Sequence, residues 1–112
     1  MTGRVKRFDD SEGGEMIQLW TWSGHCFGYR DGDNLWTCDG RHVGRFWGDD
    51  IYGPSGRYVG QIMSENLLIT HKAKKSWQRS TFSPFFRRPS DVEYPERVGH
   101  AVFPGYEDFP SL

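Results

Sequence analysis

The chain has 112 residues, of which 36% are hydrophobic and 16% aromatic, a composition that suits one small domain with a core built on large rings. Its 14 basic residues stand against 15 acidic ones, so no global field draws the protein to nucleic acid or to a membrane surface. Mean hydropathy is -0.73 and no apolar run approaches the length of a membrane-spanning helix or a secretory signal, so a cytoplasmic protein without a membrane partner is expected.

Residues 1–15 mix Arg4, Lys6 and Arg7 with Asp9, Asp10, Glu12 and Glu15 without periodicity and read as an N-terminal arm, in which Val5 and Phe8 offer a short strand. Residues 16–72 read as a β-hairpin repeat domain. A unit recurs there every 16 residues: Leu-Trp-Thr-Trp-Ser-Gly-His-Cys-Phe-Gly at 19–28, Leu-Trp-Thr-Cys-Asp-Gly-Arg-His-Val-Gly at 35–44, and Ile-Tyr-Gly-Pro-Ser-Gly-Arg-Tyr-Val-Gly at 51–60. A fourth copy starts at Leu67 and has Lys72 where the turn glycine belongs. Runs of aromatic and β-branched residues around Ser-Gly or Asp-Gly signal hairpins, because Gly accepts the positive φ of a tight turn. Asp31-Gly32-Asp33-Asn34, Trp47-Gly48-Asp49-Asp50 and Ser64-Glu65-Asn66 then join one hairpin to the next. The expected fold is all-β: four pseudo-symmetric 16-residue β-hairpin repeats around a central axis, since a unit that cannot bury its apolar side alone packs against copies of itself.

If each repeated X-Gly pair is a two-residue turn, Cys38 faces Arg41, Trp36 faces Val43 and Leu35 faces Gly44, with the other units in step. One face then carries Trp20, Trp36 and Tyr52 with Phe27, Val43 and Val59 and, nearer the turns, His25, Arg41 and Arg57. The other carries Leu19, Leu35 and Ile51 opposite Gly28, Gly44 and Gly60, with His42 on the same side. This second face is expected to line the axis, because a glycine inside a strand marks close approach of a neighbour. Trp20, Trp36, Tyr52, His25, Arg41 and Arg57 are the candidate ligand-binding residues, since rings beside cations suit a small anion, a sugar or a peptide. The competing role for the same rings is core filling, with Arg stems laid over them.

The Trp/Tyr-x-x-Ser/Asp-Gly-Arg/His-x-Val/Phe-Gly units at 20–28, 36–44 and 52–60 are joined by Leu-Ile-Thr-His-Lys at 68–72 and, more weakly, by Pro-Gly-Tyr-Glu-Asp at 104–108. Together they resemble the 4-fold beta flower family, small bacterial proteins named for four hairpin repeats around a pseudo-fourfold centre. The resemblance implies that fold. It implies no activity, because none is established for the family.

Residues 73–112 are expected to form an extended, Pro-rich C-terminal tail packing on the domain. From Leu67 to Ser90 there is no acidic residue, and Lys72, Lys74, Lys75, Arg79, Arg87 and Arg88 are interleaved with Trp77, Phe82, Phe85 and Phe86. Such alternation can bind single-stranded nucleic acid through phosphate contacts and base stacking. Asp91, Glu93, Glu96, Glu107 and Asp108 are placed to neutralise the patch internally, which disfavours nucleic acid as a partner. Pro84, Pro89, Pro95, Pro104 and Pro110 oppose helix interiors and central strands, while Val102, Phe103, Tyr106 and Phe109 are the natural anchors.

Two-residue turns put Cys26 and Cys38 on opposite faces, whereas a three-residue loop at Asp31 to Asp33 brings them opposite one another. Free thiols are expected, because cytosolic disulfides are rare. His25, His42, His71 and His100 show no paired ligand spacing, so no metal is expected. Neighbouring strand residues point to opposite faces, so His25 is badly placed to activate Cys26, and neither a catalytic residue nor a cofactor is assigned. The expected function is a non-catalytic binding or interaction module for an unknown small ligand or protein. The alternatives are a small enzyme with its site between ring and tail, or a single-stranded nucleic-acid binder acting through residues 72–88.

Overall fold

The computed structural model describes residues 16–64, 66–86 and 95–112, so Val5, Phe8 and any strand they add lie outside the described residues. Eight strands follow in chain order: β1 (Met16–Thr21), β2 (Cys26–Asp31), β3 (Asn34–Thr37), β4 (His42–Trp47), β5 (Asp50–Tyr52), β6 (Tyr58–Ile62), β7 (Leu67–His71) and β8 (Tyr106–Asp108). Successive strands are antiparallel neighbours, and β1 returns to β7 in parallel, so the first seven strands close into an all-β barrel. Trp20↔Leu67 and Thr21↔Leu68 make the closing pairs, with Trp20 N–H donating to Asn66 O at 3.0 Å and Trp22 N–H to Leu68 O at 2.8 Å. Closure removes the unpaired edges through which open sheets aggregate. β8 takes the second half of the same β7 edge through Ile69↔Asp108, Thr70↔Glu107 and His71↔Tyr106. Helix among the described residues amounts to one 3-10 turn at Lys72–Lys74.

The register corrects the two-residue turns. Leu35 pairs with Gly44 as expected, but Trp36 pairs with His42 rather than Val43. The same step recurs where Leu19 meets Gly28 and Trp20 meets Cys26, and where Ile51 meets Gly60 and Tyr52 meets Tyr58. The cause lies in the tips. Thr37 N–H donates to Arg41 O at 2.9 Å and Gly40 N–H to Thr37 O at 3.0 Å, with Gly40 at φ +88°, which is a three-residue loop ending in a left-handed residue. Thr37 Oγ1 adds a bond from Arg41 N–H at 3.1 Å and Thr21 Oγ1 one from His25 N–H at 3.2 Å, so threonines at equivalent positions staple the longer loop. The tight turns sit in the links instead, where Asp31↔Asn34 and Trp47↔Asp50 each enclose a two-residue Gly-Asp turn with glycine first and positive in φ.

This step decides what faces what. Leu19, Leu35, Ile51 and Leu68, all fully buried, pack with Phe27, Phe46 and Phe109 in one core, and Val43 and Val59 lie against it. Phe27, Val43 and Val59 therefore belong to the leucine side and not to the Trp/Tyr side. His42 moves the opposite way, stacking on Trp36 with ring centres 5.0 Å apart, and Tyr58 meets Tyr52 edge-on at 5.9 Å. Gly60 shows why a glycine stands in this register: a Cβ there would meet the ring of Phe109. Burying each large aliphatic or aromatic side chain contributes about 1.5–3 kcal/mol, so these residues dominate the stability of the barrel. No helix among the described residues is long and apolar enough to cross a membrane.

Candidate functional site

Trp20, Trp36 and Tyr52 recur at equivalent strand positions and are only 4%, 1% and 2% exposed, so none offers an open face to a ligand. Trp20 Nε1–H donates to Pro95 O at 2.8 Å, and the Arg97 guanidinium lies 3.8 Å from its ring centre. Trp36 belongs to a stacked column with Tyr29, His42 and Phe85. Tyr52 has Arg79 at 5.7 Å from its ring centre. His25, Arg41 and Arg57 stand at three separate hairpin tips, each engaged by the C-terminal half. His25 Nδ1 is 3.0 Å from Glu96 Oε2, Arg41 Nη2 donates to Leu112 O at 2.7 Å, and Arg57 bridges Gln78. The bond to Glu96, together with its negative charge, raises the His25 pKa above its ordinary 6.5.

Residues 77–86 dock on the third hairpin by main-chain bonds and on the second through the His42 side chain. Trp77 O accepts from Tyr58 N–H at 3.0 Å, Arg79 N–H donates to Gly56 O at 2.7 Å, and Phe82 N–H donates to Pro54 O at 3.0 Å. Phe85 N–H donates to His42 Nδ1 at 2.9 Å, while His42 Nε2 lies 3.1 Å from Gly44 O. Both contacts are satisfied only by a neutral imidazole protonated on Nε2, which holds the Phe85 ring 4.8 Å from its own. Three cations of residues 72–86 are engaged inside the molecule. Lys74 pairs with Asp50 at 3.0 Å, Lys75 with Glu107 at 2.8 Å, and Arg79 sits 4.5 Å from the ring centre of Trp47. Arg87 and Arg88 lie outside the described residues.

Between β4, β5 and the docked segment opens a cleft of about 410 Å³. Phe46, Trp47, Tyr52, Phe82 and Phe85 supply its apolar walls, and Asp33, Asn34, Arg45 and Ser80 its polar groups. The Arg45 guanidinium is 4.7 Å from the centre of the Phe82 ring and has no carboxylate within ion-pairing distance among the described residues. Its neighbour Arg30, by contrast, is held by Gly32 O at 2.8 Å and by Asp33 at 3.4 Å. Comparison with known proteins returns no matching family model, no matching curated protein and no matching solved structure.

A second cavity, of about 420 Å³, lies beside the first two hairpin tips, with His25, Arg41 and both cysteines in its lining and Phe109 and Leu112 along one side. Of the six residues singled out from the sequence, Tyr52 lines the first cavity, His25 and Arg41 line the second, and Trp20, Trp36 and Arg57 line neither. No group of three or more His, Cys, Asp or Glu among the described residues is arranged to hold a metal. Burial pushes the Tyr58 hydroxyl up to about 12, and it donates to Gln61 Oε1 at 2.9 Å, so it stays protonated and serves as a packing group. Arg45 escaped the sequence reading because its equivalents one repeat either side are Tyr29 and Gln61, which share no chemistry with it. Phe82 and Phe85 were visible as rings in a basic stretch, but not as cleft walls.

Proposed function

We propose that this protein is a non-catalytic binding module whose ligand is a small planar anion, an aromatic or heterocyclic carboxylate or phosphate, taken into the cleft beside Arg45. The observation that carries the reading is a guanidinium with no ion-paired carboxylate among the described residues, at a cleft whose apolar walls are aromatic rings and whose acid, Asp33, is paired with Arg30. A planar ligand stacks on such walls, and its anionic group pairs with the planar fork of Arg. The cleft volume falls in the usual range for small-molecule sites, about 300–1,000 Å³. The internal pairing of Lys74 and Lys75 and the stacking of Arg79 favour this over nucleic-acid binding through residues 72–88.

We also infer that the architecture is the pseudo-fourfold one of the 4-fold beta flower proteins. Three hairpins share one register, and β7 with β8 supplies the fourth, its tip expanded into residues 72–105. Support comes from the fully buried set Leu19, Leu35, Ile51 and Leu68, one residue from each of these hairpins.

The binding reading is tested by calorimetric titration of the full chain with indole-3-acetate and adenosine monophosphate as planar anions and with uncharged indole as a control. The anions should bind and indole should bind more weakly. Arg45→Ala should weaken the anions roughly 10- to 100-fold, the worth of a lost charge-assisted bond. Absence of binding at millimolar probe, or equal binding by Arg45→Ala, contradicts the proposal.

A further inference from the structure

The two cysteines of the chain meet in space. Cys26 opens β2, and Cys38 sits in the tip loop after β3, whose backbone is fixed against β2 by Cys38 N–H donating to Phe27 O at 3.1 Å. Their Sγ atoms are 2.8 Å apart across a separation of 12 residues. That is closer than two thiols ordinarily rest, and less than an ångström from the roughly 2 Å of a disulfide bond. Both side chains are half-buried and line the solvent-open cavity with Arg41 and Phe109, so a small oxidant reaches them. A cysteine kept only for packing would more usually be buried outright.

We propose that Cys26 and Cys38 form a reversible intrachain disulfide, a modification site whose oxidant is a low-molecular-weight disulfide such as oxidised glutathione. The Cys26 thiol gives up its proton to solvent, and the thiolate attacks one sulfur of the oxidant. One glutathione leaves as thiolate and takes a proton. Cys38 then loses its proton and attacks Cys26 Sγ, breaking the mixed disulfide and releasing the second glutathione. Two protein thiols and one small disulfide become one protein disulfide and two small thiols, and two electrons pass to the oxidant. Burial and the neighbouring Cys26 push the Cys38 thiol up to about 12, which suits it to the second, intramolecular step rather than the first. Closure ties the start of β2 to the tip of the second hairpin and fixes that wall of the cavity.

The test is to incubate the full chain with excess oxidised glutathione and follow intact mass, free thiols and thermal midpoint, before and after dithiothreitol. The proposal expects a monomer that loses both thiols and two hydrogens in mass without an adduct. Its midpoint should rise by roughly 5–15 °C, the effect of closing a short loop in a small domain, and dithiothreitol should reverse the change. Cys38→Ser should stop at a glutathione adduct on Cys26, separating the two steps. Two thiols that stay titratable, stable adducts on both cysteines of the native chain, or disulfides formed only between chains would overturn it.

Discussion

His25 is exposed at the tip of the first hairpin, yet its titration is tied to a residue 71 positions away. Glu96 stabilises the imidazolium, so the folded pKa lies above the ordinary 6.5. A histidine raised on folding adds stability that is fully present below its unfolded pKa and is lost as pH rises through the folded value. The contact between this tip and the C-terminal segment is therefore strongest in mild acid. A nuclear magnetic resonance titration of the His25 ring should give a midpoint above 6.5 that falls back toward 6.5 in Glu96→Gln. An unchanged midpoint in that variant would show that the carboxylate is not the cause. Repetition made His25, Arg41 and Arg57 legible as equivalent cations, because each follows a turn glycine. It was silent on their partners, which lie in the non-repeating half of the chain, and on Arg45, which has no basic equivalent.

Among the elements, the hairpin tip glycines Gly24 and Gly56 are where the C-terminal half attaches. Gly24 at φ +98° and Gly56 at φ +86° occupy conformations that L side chains resist. Each is also covered: an added Cβ would run into Arg97 O at Gly24 and into Arg79 O at Gly56. The two attachments match further, since Arg97 N–H donates to Gly24 O and Arg79 N–H to Gly56 O while their guanidinium groups lie over Trp20 and Tyr52. Gly24→Ala and Gly56→Ala should each cost on the order of 2–4 kcal/mol in chemical denaturation, combining backbone strain with a displaced hydrogen bond. Gly32→Ala is the control, with positive φ but open space around it, and should cost about 1–2 kcal/mol. Equal losses at all three positions would mean that the docking contributes nothing. The existence of each hairpin was readable from its Ser-Gly or Asp-Gly signal. Its register was not, because the same residues allow a two-residue or a three-residue loop, and the longer one forms at all three tips, with Thr21 and Thr37 reinforcing two of them.

At the scale of the molecule, seven strands close on themselves and the chain beyond them becomes a wall of the cleft. The all-β class and the strand succession were legible because alternating rings and turn glycines leave helix no support. The closure of β1 on β7 and the return of β8 to β7 were not, since strand pairing between residues 35 to 47 positions apart leaves no local pattern. Phe109, an anchor in the sequence reading, is 5% exposed and packs edge-on against Phe27 at 5.0 Å, so the end of the described chain enters the same core as the first hairpin. The cleft walled by Phe82 and Phe85 exists only while residues 77–86 stay docked. Native-state hydrogen exchange on the full chain tests this most directly, through the amides of Arg79, Phe82, Phe85, Arg97 and His100, each of which donates to the hairpins. The account predicts protection within about tenfold of the barrel strands, as expected of one cooperative unit. Exchange of these amides at near-unprotected rates while the barrel stays protected would contradict it, and would make the segment an arm rather than a wall.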